Sequence, residues 1–536
     1  MAGADGSLWL YNGRVISLSP EVEGATAVLA QDGRIKAVGS DEVVRRAARP
    51  GTPAIDLGGM TVVPGFIDSH LHLLGFGLSL DNLDLNGVRS IAEVVRLVRQ
   101  EAAALPAGDW VFGRGWDQDR FAEGRYPTRD DLDLAAPDRP VSLVRSCGHV
   151  LVANTAALRH SGITRETADP PGGRIDRGES GEPTGILRET AKGLLKSPGP
   201  SRERLERALR LAVERALAVG VTSVHTEDTR GVGFAPVYDL YRRSLGREGL
   251  PFRVSIDVAY EHLDELEAAG FKTGSGDDYV KIGATKLFAD GSLGASTAVL
   301  GEPYSDNPQS QGIPVLEAGE IRERVRQAHR HGLQLATHAI GDRAIELTLD
   351  AYLQALTEIP RPNHRHRIIH CQVMRPDQFR WFAALGVVAD IQPKFITTDM
   401  RWAEKRVGPE RIQTSYAWKT FIEAGVHVAG GSDCPVEPLN PALGLYSAVA
   451  RQDLDGRPEG GWLPEQRLSV DQALRLFTLG GAYAAFEETE KGSIEPGKLA
   501  DLAILRRDPR DVPGGELKDL QVQMTVVGGR VAFSRS

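Results

Sequence analysis

Thr61-Val62-Val63-Pro64-Gly65-Phe66-Ile67-Asp68-Ser69-His70-Leu71-His72 is an apolar run that ends on two histidines one residue apart. In an extended strand, residues i and i+2 point to the same side. Two imidazoles on one side, just where a strand runs out, form half of a metal site. The run is read as one strand starting near Val62. It directs attention to other strands that end on ligand-type side chains.

Seven further candidate strands start near Val221, Phe252, Val280, Leu333, Arg367, Val387 and Val426, with helical stretches between most of them. Alternating strand and helix implies a parallel sheet. Eight strands close a (β/α)8 TIM barrel, the expected α/β fold class. Arg202–Ala218 and Ile321–His331 carry helical spacing of apolar residues, and Gly220 and Gly332 supply stop signals. The interval between the first and second strands is several times the roughly 30 residues of a βα unit. Residues from about 77 to 200 are therefore a large insertion after barrel strand 1. Such an insertion follows the catalytic face of a barrel strand, so it is expected to cover the site and shape the substrate pocket.

The two ends of the chain are β-rich. Leu8-Trp9-Leu10-Tyr11, Asn12-Gly13 and Arg14-Val15-Ile16-Ser17 give one hairpin signal, and Ala27–Ala30, Gln31-Asp32-Gly33 and Arg34–Gly39 give another. Leu502–Leu505 and Thr525–Phe533 are again strand and turn. The expectation is a small β-sandwich built from both termini, residues 1–60 and 486–536, with the barrel over 61–485.

The 536 residues suffice for a large barrel with smaller appendages. A net charge of -9 argues against nucleic-acid or membrane-surface partners. No run of 18 apolar residues suggests a membrane span. Met1-Ala2-Gly3-Ala4-Asp5-Gly6 lacks the basic start and apolar core of a signal peptide. Cys147, Cys371 and Cys434 are too scattered for a disulfide framework. A cytoplasmic protein is expected, with a homodimer as the usual association for a barrel of this size.

Polar residues gather at the ends of the proposed barrel strands. His70 and His72 end strand one, Lys286 sits in the apolar strand four, His338 and His370 end strands five and six, and Asp433 follows strand eight. Four imidazoles, one lysine and one carboxylate thus converge on one barrel mouth, the face that carries catalysis in this fold. An unpaired buried ammonium is costly, so Lys286 calls for a partner or a modification.

On these residues the chain resembles the amidohydrolase superfamily over nearly its whole length. The matching pieces are Pro64–His72, Thr337-His338, Ile369-His370, Gly431-Ser432-Asp433 and the tail Gly492–Leu502. Arg145-Ser146-Cys147-Gly148-His149 with Asn154, Lys286–Gly294, and Ser432-Asp433-Cys434-Pro435-Val436 resemble the family 3 branch that includes N-substituted formamide deformylases. The resemblance implies a two-metal site, usually zinc. His70, His72 and Asp433 would hold the more buried ion, and His338 and His370 the second. Lys286, carboxylated by carbon dioxide, would bridge them as a carbamate. A hydroxide shared by the ions would attack a carbonyl carbon, and Asp433 would take its proton and hand it to the leaving nitrogen.

The implied activity is hydrolysis of a non-peptide C–N bond in a small molecule: an amide, N-formyl, N-acyl or cyclic amide. Esterase, lactonase or deaminase activity on the same site, or a catalytically silent regulatory protein, stays open at this point, because fold does not fix function. Trp116, His149, His225, Asp290 and Arg343 are candidate substrate contacts. His160, His262, His329, His331, His364, His366 and His427 are assigned to helices or loops, with His364 and His366 solvated. Cys371 and Cys434 are small packing residues, since adjacent strand residues point to opposite faces. Gly113-Arg114-Gly115 lacks the context of a nucleotide-binding loop.

Overall fold

Gly65 divides the run that the sequence presents as one strand. In the structure, a computed structural model that describes residues 6–106, 108–145, 150–170, 173–197 and 199–535, Thr61–Pro64 and Phe66–Leu71 belong to different sheets. The single-strand reading is corrected for a local reason. Pro64 has no N–H to donate, and the Gly65 N–H turns to Asp501 O at 2.9 Å. A Cβ on residue 65 would fall 2.3 Å from Thr222 Oγ1, so the chain passes between two layers at a point where only glycine fits.

Phe66–Leu71 is β1 of an eight-stranded parallel sheet. It is followed by β2 (Val221–Thr226), β3 (Arg253–Ala259), β4 (Val280–Phe288), β5 (Gln334–Ala339), β6 (Arg367–His370), β7 (Val388–Ile391) and β8 (Val428–Gly430). Each strand pairs in parallel with the next in chain order. The ring is drawn together at its C-terminal end, where Asp433 N donates to His70 O at 2.8 Å and His72 N to Cys434 O at 2.9 Å. This is the expected (β/α)8 barrel. β2 and β3 are buried at every position, as strands covered on both faces must be.

The helix at Arg202–Ala218 has the expected bounds. The next one starts at Ala318, ahead of the expected Ile321, because Glu317 and Glu320 form a capping box that satisfies its first amides. Gly220 (φ 83°) and Gly332 (φ 79°) take the left-handed conformation just past these helices.

The chain ends build two further sheets, the first from the N-terminal end alone and the second from both ends. One has the order Arg34–Gly39, Ala27–Gln31, Leu8–Tyr11, Ala54–Asp56. The other runs Arg14–Val15, Thr61–Pro64, Leu502–Leu505, Val522–Val527, Arg530–Ser534. Leu10, Val28, Val62, Ile504 and Val526 share one core between them. The 27–39 hairpin forms as read, with Asp32 and Gly33 at positive φ in its turn. The 8–17 hairpin does not form. Asn12 (φ 57°) and Gly13 carry the chain from one sheet to the other, so Leu8–Tyr11 pairs with Ala27–Gln31 and Arg14–Val15 with Thr61–Pro64.

Residues 77–211 make a second compact unit. It holds a six-stranded sheet ordered Gly173–Arg177, Pro183–Glu189, Val150–Ala153, Val141–Arg145, Val111–Trp116, Leu83–Asp84. Its own cores are built around Val94, Val98, Trp116 and Leu143 on one side and Leu158, Ile175 and Leu187 on the other. Among the described residues no helix is long and apolar enough to cross a membrane.

Candidate metal centre

The C-terminal ends of β1, β4, β5 and β6 and the turn after β8 bring together the six side chains singled out in the sequence. One nitrogen each from His70 and His370 and one oxygen of Asp433, all buried, lie within 4.8 Å of one another. Asp433 Oδ1 is 3.5 Å from His70 Nε2 and 3.4 Å from His72 Nε2. Lys286 Nζ is 3.2 Å from His70 Nε2. The His338 ring packs edge-on against His370, centroids 4.4 Å apart.

Neighbours orient these rings. His72 Nδ1 donates to Glu227 O at 2.6 Å and His370 Nδ1 to Gln392 Oε1 at 2.7 Å, which leaves each Nε2 as the atom available to a metal. His338 is turned the other way: its Nε2 donates to Gly291 O at 2.9 Å and lies 3.5 Å from Asp290 Oδ1. The Nδ1 of the buried His70 has no hydrogen-bond partner among the described residues. His370 (φ 82°), Cys371 (φ 48°) and Asp433 (φ 57°) hold left-handed backbone at the exits of β6 and β8. Each such residue costs about 1–3 kcal/mol, strain that proteins concentrate at functional sites.

Burial sets the electrostatics. It drives the pKa of His70 and His370 well below the imidazole range and that of His338 down to about 4. All three are neutral at pH 7, the state a metal needs. Burial also draws Lys286 down to about 8, against the opposing pull of Asp433 and Asp257. For His72 burial is outweighed by the hydrogen bond to Asp433, and its pKa rises to about 9. A proton on His72 thus occupies the place beside Asp433 that a cation would take. Neutral imidazoles, one carboxylate and an unpartnered buried ring nitrogen form a donor set that fits a divalent metal of the zinc type.

Below this layer lies a buried polar network. Arg367, at the start of β6, donates to Asp257 Oδ2 and, at 2.9 Å, to His225 Nδ1; its Nε is 3.5 Å from Asp390 Oδ2. Ser69 Oγ donates to the other Asp390 oxygen at 2.7 Å. His225 is therefore a partner of Arg367 inside the barrel and not a residue at the mouth. Asp290 accepts from the amides of Val299, Ile340 and Gly341, and fastens the loops after β4 and β5 beside His338.

Two other candidate contacts are corrected. The Trp116 indole is fully buried in the core of the 77–211 unit, and its Nε1 donates to Leu143 O at 2.9 Å. Arg343 is exposed on the helix Asp342–Glu358 and pairs with Glu346 at 2.6 Å. His149 lies outside the described residues. His364 and His366 are buried, not solvated, and link with His329 near the starts of β5 and β6. Gln392, Glu227 and Arg367 were not singled out by sequence. The alternation Asp390-Ile391-Gln392 and the charge opening Arg367-Ile368-Ile369-His370 were the available signals.

Comparison with known proteins agrees with this architecture. A family model described as "Amidohydrolase family" matches residues 54–533. The chain is 36% identical to the putative amidohydrolase YtcJ of Bacillus subtilis, over 99% of this chain and 100% of that protein. It is 32% identical to the N-substituted formamide deformylase of Arthrobacter pascens, over 99% and 98%. The crystal structure of an uncharacterized metal-dependent hydrolase from Pyrococcus furiosus is 34% identical and superposes with a TM-score of 0.79, covering 94% of this chain and 100% of that one.

Proposed function

The chain belongs to the amidohydrolase family, as a hydrolase of carbon–nitrogen bonds other than peptide bonds, and from that premise we propose that it cleaves an amide, N-formyl, N-acyl or cyclic amide bond of a small molecule with two divalent cations. The observation that carries the reading is the buried triplet of His70, His370 and Asp433 ligand atoms within 4.8 Å of one another. The deformylase name of the Arthrobacter pascens relative supports the N-formyl class. Cys371 and Cys434, both free thiols, support a cytoplasmic setting.

His70, His72 and Asp433 would hold one ion, and His370 and His338, the latter through Nδ1, the other. Zinc suits these donors best. When bound, the ions supply Lewis acidity and bring the pKa of a water down to about 7. Lys286 has a neutral-amine fraction at pH 7 because burial lowers its pKa to about 8. That amine would add to the carbon of carbon dioxide and release a proton, so that Lys286 would offer the cations an anionic oxygen ligand. Asp433 Oδ1, near both His70 and His72, accepts a proton from the attacking water and delivers it to the departing nitrogen, so the amine leaves neutral.

The test is a panel of N-formyl, N-acyl, cyclic amide and ester compounds assayed with metal-depleted protein before and after adding Zn²⁺ or Mn²⁺. Amide hydrolysis that appears with metal, at two ions per chain by elemental analysis, is the expected result. Ester cleavage alone, or hydrolysis indifferent to chelation, would overturn the reading.

A further inference from the structure

We propose that Arg230 selects substrates carrying a carboxylate, so that the compound hydrolysed is an N-formyl or N-acyl derivative with an anionic end; the inference rests on the hydrolase reading above.

Side chains on β4 alternate, so Lys286 and Phe288 share the inward face and Phe288 is one layer nearer the mouth. The Phe288 ring meets the site on two sides of its environment: Lys286 Nζ is 5.0 Å from its centroid and the His338 ring 5.4 Å. Arg230, in the loop after β2, lays its guanidinium over the same ring, with Cζ 4.4 Å from the centroid. One aromatic side chain therefore touches both the lysine of the site and an exposed arginine at the rim.

The guanidinium has no carboxylate partner among the described residues, and its acidic neighbours are already engaged. Glu227 Oε1 accepts from Thr229 Oγ1 at 3.1 Å and from the Arg230 main-chain N at 2.9 Å. Asp228 accepts from Leu74 N at 2.9 Å and Tyr241 Oη at 2.6 Å. Two other cations on loops at this end of the barrel, Lys394 and Arg375, are paired. Lys394 is 2.9 Å from Glu437, and Arg375 is 3.2 Å from Glu346. The contact with Phe288 fixes the plane of the Arg230 fork while its donors remain open, the arrangement that binds a carboxylate through two parallel hydrogen bonds. A chain of net charge -9 does not draw anions in by its overall field, so an anionic substrate needs such a local cation.

Matched pairs of N-formyl compounds that differ only in a distal carboxylate or carboxamide test this, with kcat/KM measured on the metal-loaded enzyme. The wild type should favour the carboxylate by tenfold or more, with the difference mainly in KM and shrinking as salt is raised. R230M should lower that preference at least tenfold, R230K should restore part of it, and R230E should shift preference towards partners bearing an ammonium. Equal kcat/KM for the pair, or a ratio unchanged in R230M, would overturn the assignment while leaving the hydrolase intact. Hydrolysis of neither compound, beside turnover of other amides on the panel above, would overturn this inference and leave the hydrolase reading standing.

Discussion

Asp433 is both a neighbour of two imidazoles and the proposed carrier of a proton, and the two roles can be separated. Asn keeps the shape and one oxygen but cannot take the proton. D433N should retain most of its metal, read by elemental analysis, while kcat falls about a hundredfold or more. A variant with near-normal turnover would remove Asp433 from the proton path. At this scale the sequence was informative wherever strand periodicity applied. His70 and His72 share a face because i and i+2 must, and His338 and His370 end adjacent strands. Arg230 and Phe288 escaped notice because their contact joins the loop after β2 to the end of β4, a proximity that no local spacing encodes. Trp116 misled for the opposite reason: a large aromatic in a glycine-rich stretch suits a ligand wall and a private core equally well, and here it fills a core.

Among the elements, the break at Gly65 decides how sandwich and barrel meet. A methyl at this position would press on Thr222 Oγ1 at 2.3 Å and Cγ2 at 2.5 Å. G65A should therefore lose about 1–3 kcal/mol, the usual penalty of overpacking, measured as a lower denaturation midpoint. T222A, which removes both of those atoms, should recover much of the loss in the double variant. Full stability in G65A alone would mean that the junction is looser than described. The apolar alternation of Thr61–Leu71 is continuous, so it gave no hint of two sheets. The Pro64-Gly65 pair was the available signal. The Asn12-Gly13 dipeptide was likewise read as a hairpin turn, although a left-handed residue can equally send the chain across to a second layer.

For the molecule as a whole, acid resistance should be governed partly by histidines remote from the site. His366 Nδ1 accepts from Leu335 N at 3.1 Å, so its Nε2 donates to His329 Nδ1 at 3.0 Å. His364 Nδ1 accepts from His366 N at 2.9 Å, and its Nε2 donates to Leu385 O at 2.7 Å. Neither ring of this pair, His364 or His366, has a free nitrogen for a second proton. Burial lowers His364 from 6.5 to about 4 and holds His366 well below the imidazole range. At these two rings the unfolded chain then binds more protons than the folded one below pH 6.5. Their contribution to stability is fully present above that pH and declines as pH falls towards 4, by on the order of 3 kcal/mol from His364 alone. Urea midpoints between pH 7 and 4.5 should fall, and H364Q should flatten that slope; an unaltered slope in H364Q would sink the attribution. The barrel itself was legible because eight strand ends could be found one at a time. The position of these histidines was not, since only tertiary packing hides a loop from water.

The antiparallel pairing of Thr61–Pro64 with Leu502–Leu505 has a consequence for biosynthesis. A ribosome adds roughly 5–20 residues each second, so the early strand waits on the order of tens of seconds before its partner emerges. During that delay the edge of Thr61–Pro64 that pairs with Leu502–Leu505 has no strand beside it. Until Leu502–Leu505 emerges, Thr61–Pro64 has a strand neighbour on one edge only, Arg14–Val15, and this sheet is completed only when the chain is nearly finished.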